Sequence, residues 1–158
     1  MSDVSFIVAS DLHGRLDCVR EIRDYCAKYF VDAVFFLGDY SRDFRDQRQN
    51  RLDVAAVLEV MEGQRTYMLP GNCDFPESLK WMGSAGFHCK SVEAGGAEFI
   101  GFGGSNATPF GTPFEWREDD AFRLLSKVFG ENGGETVLMT HTPAYGVCDR
   151  LGDGRSVG

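Results

Sequence analysis

The sequence predicts an α/β fold built on a parallel sheet, on three observations. Short apolar runs alternate with amphipathic segments through the first half of the chain. That order (strand, helix, strand, helix, strand) implies parallel strands joined by helical crossovers. The runs end at turns rich in glycine and aspartate, and in open sheets of this kind ligands gather at the carboxyl ends of the strands.

Val4 to Ser10 (VSFIVAS) is a short apolar run closed by polar residues, which is the pattern of a buried strand. Arg15 to Phe30 sets Val19, Ile22, Cys26 and Tyr29 at three- and four-residue steps, one face of a helix. Ala33 to Leu37 (AVFFL) is a second buried strand, stopped by Gly38. Leu52 to Met61 reads as a helix with Gly63 as its stop, and Arg65 to Leu69 as a third strand. Pro76 to Met82 is a short helix opened by proline. The second half changes character. Phe87 to Val92 and Ala97 to Phe102 are strands around the turn EAGG, and GGSNATPFGTPFEW is a loop. Glu118 to Phe129 is a helix with acidic residues in its first turn, and Thr136 to Thr140 is a last strand. No regular element is expected in the glycine-rich tail after it.

The 158 residues fit one domain, spanning 1–158, and 43% apolar residues suffice for a core. A net charge of −8 disfavours the nucleic-acid backbone as a partner. It leaves a small phosphorylated substrate open, because bound cations reverse the local field. The five cysteines are odd in number and form no C-x-x-C pair, which fits reduced thiols rather than a disulfide framework. No basic-then-apolar leader precedes the first strand, and no apolar run approaches the roughly 20 residues needed to span a membrane. The expectation is a soluble, cytoplasmic protein, with no membrane partner and with a homo-oligomer compatible.

Four strand ends carry the chemistry. Asp11 and His13 follow the first strand in SDLHG, and Asp39 follows the second in GDY. Asn72 follows the third in GNCD, and His141 follows the strand TVLMT. Each alone is an ordinary turn residue. Together they place oxygen and imidazole ligands at one end of a sheet, where glycines let the backbone turn sharply.

The motifs DLHG, GDY, GNCD and THTP resemble those of the calcineurin-like metallophosphoesterase superfamily, most of all its small microbial phosphodiesterase-type members. The likeness extends from about Val4 to Asp149. It implies a four-layer α-β-β-α sandwich, here lacking its C-terminal strands. It also implies two divalent transition-metal ions, manganese foremost and iron, zinc or nickel as the alternatives that mixed nitrogen and oxygen ligands admit. Asp11 and His13 would hold one metal, Asp39 would bridge, and Asn72 and His141 would hold the other. A bridging carboxylate keeps two cations about 3.5–4 Å apart, and a hydroxide between them attacks phosphorus in line. The implied activity is phosphoester hydrolysis, with phosphodiesters favoured.

Two departures qualify the likeness. Members commonly carry G-N-H-[DE], whose histidine protonates the leaving group, whereas this chain has Cys73 followed by Asp74. A thiol of pKa near 8.5 is a poorer acid than imidazolium at neutral pH. The catalytic set is therefore read as Asn72, Asp74 and Cys73, with weak reliance on the last. Members also close the site with G-H-x-H, and that motif is absent. The expected explanations are a longer protein, ligands from a partner chain, or a degenerate site. The chain's remaining histidine, His88, is read as structural, in GFHCK. Arg42 in GDYSRDF is a candidate phosphate clamp, although pairing with Asp43 or Asp46 is its plainer reading. Asn106 is a candidate substrate contact on the Gly/Pro-rich loop. A protein-binding scaffold is the alternative function, since the same fold serves that way in the retromer coat. A protein phosphatase is disfavoured, because GDYSRDF lacks the Asp-Arg-Gly run of those relatives.

Overall fold

The computed structural model of the protein describes residues 4–131, 136–150 and 152–156. Residue 158, on which the question of the chain's end turns, lies outside the described residues, as do 151 and 157 of the tail.

Strand β1 (Phe6–Ala9) leads to helix α1 (Leu16–Lys28), β2 (Ala33–Phe36), α2 (Gln47–Val60) and β3 (Thr66–Met68). The three strands form a parallel sheet in the order β1-β2-β3, with Val34 opposite Ile7 on one side and Thr66 on the other. The crossover reading of the first half therefore holds. A short helix, α3 (Ser78–Met82), follows, then strands β4 (Lys90–Ala94) and β5 (Ala97–Phe102). Two-residue strands β6 (Ser105–Asn106) and β7 (Glu115–Trp116) precede helix α4 (Glu118–Glu131) and strand β8 (Thr136–Thr140). The second sheet has the order β4-β5-β8, antiparallel in the hairpin and parallel between β5 and β8.

Period-two alternation in β2 decides the layering. Val34 and Phe36 pack with Val19 of α1, Val54 and Val57 of α2 and Met82 of α3. Ala33 and Phe35 face the other way, into a cluster with Phe87, Ala94 and Phe99 beside the second sheet. Successive strand side chains point to opposite faces, so one strand serves two cores. Phe35 lies within 5.9 Å, centroid to centroid, of the rings of Phe6, Tyr67, Phe87 and Phe99. Fully burying a ring of this size stabilises by about 1.5–3 kcal/mol.

Three elements differ from the sequence reading. Helix α2 begins at Gln47 rather than Leu52, because the Asp46 side chain accepts the Gln49 N–H and caps an earlier turn. Residues 86–88 do not belong to the hairpin. Gly86 bridges to Met68 of the first sheet and His88 to Gly101 of the second, so this segment carries the chain between the sheets. The Gly/Pro-rich loop contains β6 and β7, which pair with each other across it. The tail has turns and an isolated bridge between Arg150 and Ser156. Strands β1 and β8 are sheet edges, with Val8 and Leu138 exposed. No helix among the described residues is long and apolar enough to cross a membrane.

Candidate metal centre

The loops after β1, β2 and β3 lock together beyond the ends of their strands. Backbone N–H groups of Asp11, His13 and Gly14 donate to the carbonyls of Gly38, Asp39 and Tyr40 at 3.0, 2.9 and 2.7 Å. This ladder holds Asp11, His13 and Asp39 at φ values of +57°, +45° and +60°. Glycine permits the closest approach. A Cβ on Gly38 would lie 2.1 Å from the Gly71 nitrogen, and one on Gly71 would lie 2.1 Å from Asp39 Oδ1 and 2.7 Å from the His141 ring.

Asp74 fastens the three loops from below. Its carboxylate accepts the N–H groups of Asp39 (2.7 Å), Tyr40 (3.1 Å) and Gly71 (2.8 Å), and the Asn50 side-chain amide (2.7 Å). It is fully buried. Burial is the main influence on its acidity and pushes the carboxyl up to about 6, against the Gly71 N–H, which favours the charged form. Asn50 also donates to the Ser41 hydroxyl and accepts from Phe75 N–H. The sequence reading missed Asn50, whose signal was a polar residue on the inward face of α2.

Above this base the candidate ligands converge. The side chains of Asp11, Asp39 and His141 bring ligand atoms within 4.8 Å of one another. Asp39 is the hub. Its Oδ1 lies 3.5 Å from His141 Nε2, and its Oδ2 lies 3.7 Å from His13 Nε2. Asp11 Oδ1 lies 3.6 Å from the same His13 nitrogen. Each imidazole is oriented by its other nitrogen, since Nδ1 of His141 meets the Leu37 carbonyl at 2.7 Å and Nδ1 of His13 meets the Ser41 carbonyl at 3.2 Å. Metal-binding histidines are commonly fixed this way. Asn72 Oδ1 completes the inner side, 2.9 Å from His141 Nε2.

The donor set fits divalent cations. Nε2 of His141, Oδ1 of Asn72 and Oδ1 of Asp39 all point lone pairs at one another once Nδ1 donates to Leu37. Among the described residues, neither Asp11, Asp39 nor Asp74 has a lysine or arginine within ion-pair reach. An acidic cluster that lacks a basic partner calls for cations, and mixed nitrogen and oxygen ligands suit transition metals.

The other candidates sit as follows. Cys73 is half-buried beside the cluster, and its N–H donates to Asp39 Oδ1 at 2.9 Å. Burial first, then the Asp39 charge, push its thiol well above the usual range. It is therefore a neutral thiol in the metal-free protein. Arg42 is exposed beside Gly14 and forms no ion pair among the described residues, so the pairing with Asp43 or Asp46 is not made. Asn106 lies apart from the ligand cluster, on the wall of an apolar cavity of about 470 Å³. That cavity lies between α4 and the second sheet and is lined by Trp116, Phe122, Leu138 and Thr142 among others. His88 stays out of the cluster, stacked on Phe102.

Fold and site together define an α/β protein with an acidic, imidazole-bearing pocket at the carboxyl ends of its strands. The chain belongs to the calcineurin-like phosphoesterase family, whose profile matches residues 4–157. That family is one of phosphoesterases. An uncharacterized protein of Methanocaldococcus jannaschii is 30% identical over 141 residues, which are 86% of this chain and 59% of that protein. The chain thus spans little more than half the length of that relative. A crystal structure from Thermus thermophilus superposes with a TM-score of 0.73 at 18% identity, covering 90% of this chain and 70% of the other. A second solved structure gives a TM-score of 0.74 at 15% identity, over 97% of this chain and 75% of that one. Both support the metallophosphoesterase-type fold.

Proposed function

We propose that this chain carries the catalytic centre of a metal-dependent phosphoester hydrolase, with two divalent ions and a preference for phosphodiesters. The observation that carries the reading is Asp39, whose two oxygens each face a different imidazole. Asp11 and His13 would hold one ion, manganese foremost, and Asn72 and His141 the other, with Asp39 shared. When bound, such ions acidify water at neutral pH and polarise the phosphoryl oxygens.

The chain's own residues supply the rest. The ladder between the loops, with Asp74 beneath it, fixes Asp39 before substrate arrives, so little reorganisation remains at the moment of reaction. Arg42, outside any ion pair among the described residues, is free to bind two phosphate oxygens. A thiol at Cys73 is a poorer proton donor than an imidazolium, and this favours substrates whose leaving group needs no protonation. The five unpaired thiols support a cytoplasmic setting.

The test is steady-state hydrolysis of an activated aryl phosphodiester by the manganese-loaded protein. Wild type is expected to show saturable turnover, and Asp39→Asn to lower kcat by about 100-fold or more. Undiminished activity in Asp39→Asn would remove Asp39 from its role. A scaffold is the second reading, favoured by exposed Val137 and Leu138 on edge strand β8 and Phe122 on α4. Turnover in wild type that never saturates would favour it.

A further inference from the structure

Asn72 is the one candidate ligand whose side chain has two chemically different ends. Its oxygen can hold a cation and its NH2 group cannot. Something must decide which end faces His141, and the candidate ligands themselves do not decide it.

The Gly/Pro-rich loop does. Asn72 Nδ2 donates to Thr112 Oγ1 at 3.1 Å. The same Thr112 hydroxyl lies 2.6 Å from Glu115 Oε1. A carboxylate only accepts, so the single proton of the hydroxyl is committed to Glu115. Toward Asn72, Thr112 then offers lone pairs alone, and only the NH2 end of the amide can meet them. The amide oxygen is thereby turned to His141 Nε2, 2.9 Å away.

Glu115 is well placed to keep this polarity. Its Oε1 also accepts the Thr112 N–H at 2.8 Å and the Thr108 hydroxyl at 2.5 Å. These hydrogen bonds, that from Thr108 first and those from Thr112 after it, hold its carboxyl down at about 2. Thr112 itself is buried. The loop is tied to the same place by its backbone, since the Phe114 N–H donates to the Asn72 carbonyl at 3.1 Å.

We propose that Glu115 and Thr112 are positioning residues for the metal centre, a one-way hydrogen-bond relay that presents the Asn72 oxygen to the inner ligand set. The inference rests on the reading of Asn72 as a ligand. It assigns a task to a loop that otherwise reads as a connection. The relay runs from Glu115 through Thr112 to Asn72: the carboxylate takes the hydroxyl proton, and the hydroxyl oxygen takes the amide N–H.

The experiment compares Thr112→Val, Thr112→Ser and wild type by two measurements. The first is the side-chain NH2 resonance of Asn72 in the metal-free protein. The second is the affinity for Mn²⁺ by calorimetry, with far-UV circular dichroism as the check on folding. Thr112→Val keeps shape and loses the hydroxyl. It is expected to shift the Asn72 resonance and weaken Mn²⁺ binding about 10- to 100-fold. Thr112→Ser is expected to retain both within a few-fold of wild type. It also carries the test if the valine variant fails to fold, because an altered Asn72 resonance in a folded Thr112→Ser counts against the relay. An unchanged resonance and unchanged Mn²⁺ affinity in folded Thr112→Val would overturn it. If wild type itself binds no Mn²⁺, the proposed function fails, and the resonance alone then decides whether Thr112 orients Asn72.

Discussion

Three of the candidate ligands, Asp11, His13 and Asp39, hold left-handed backbone conformations. Such residues cost of order 1–3 kcal/mol each and persist only where surrounding contacts over-determine them. The backbone ladder and the Asp74 carboxylate supply those contacts. His88 shows the opposite economy, a titratable group held neutral for structure. Its Nδ1 accepts the Gly103 N–H at 2.9 Å, its Nε2 faces Cys89 Sγ at 3.2 Å, and its ring packs on Phe102 and Phe114. Burial lowers its pKa from 6.5 to about 4. Between those values the unfolded chain binds more protons than the folded one. The contribution of His88 is therefore fully present above pH 6.5 and is lost as pH falls through 4. A displacement of that size corresponds to about 3 kcal/mol. Denaturant unfolding across pH 7 to 4 is expected to fall more steeply for wild type than for His88→Asn, by about that amount. Parallel curves would remove His88 as the cause. The candidate ligands could be picked out in the sequence because each lies at the end of an apolar run. Asn50 and Thr112 were not, because their partners, Asp74 and Asn72, lie 24 and 40 residues away.

At the scale of elements, hydrophobic period carried the sequence reading furthest where burial is two-sided. All four residues of β2 are buried, and its run AVFF has no polar member to confuse the pattern. Helix α2 began earlier than its apolar spacing implied, because a cap and not a hydrophobic stripe sets its start. Asp46 followed three residues later by Gln49 is a capping signal, and the structure uses it. The strands β6 and β7 were beyond reach, since two residues have no period and their pairing is made by the fold. The cap has a consequence for the site. Starting at Gln47 places Asn50 in the first turn of α2, under Asp74. Asp46→Ala is expected to lower stability by about 1 kcal/mol, and Asp46→Ser by much less. Chemical denaturation of both variants checks this. Equal losses would mean that the aspartate acts by charge rather than as an acceptor.

On the scale of the whole molecule, the site joins distant parts of the chain. His141 meets the Leu37 carbonyl across 104 residues, and Asn72 meets His141 across 69. The ligands exist as a set only in the folded protein, so a cation that binds them stabilises the whole fold by mass action. A site filled at 100 times its dissociation constant gains about 2.7 kcal/mol. In a domain of this length that corresponds to a rise in Tm of roughly 5–10 °C. Thermal unfolding with and without excess Mn²⁺ is expected to show that rise in wild type. Asp39→Asn should abolish most of it, because the two oxygens of Asp39 face both imidazoles, while Thr112→Val should leave an intermediate shift. The metal-free Tm separates this from simple damage. Asp39→Asn removes one of two carboxylates, those of Asp11 and Asp39, that lie close together with no lysine or arginine in ion-pair reach among the described residues, so it should not destabilise the metal-free fold as strongly as it blunts the Mn²⁺ response. A Tm that ignores Mn²⁺ in wild type would mean that the five candidate ligands, brought together as they are, do not suffice to hold the ion.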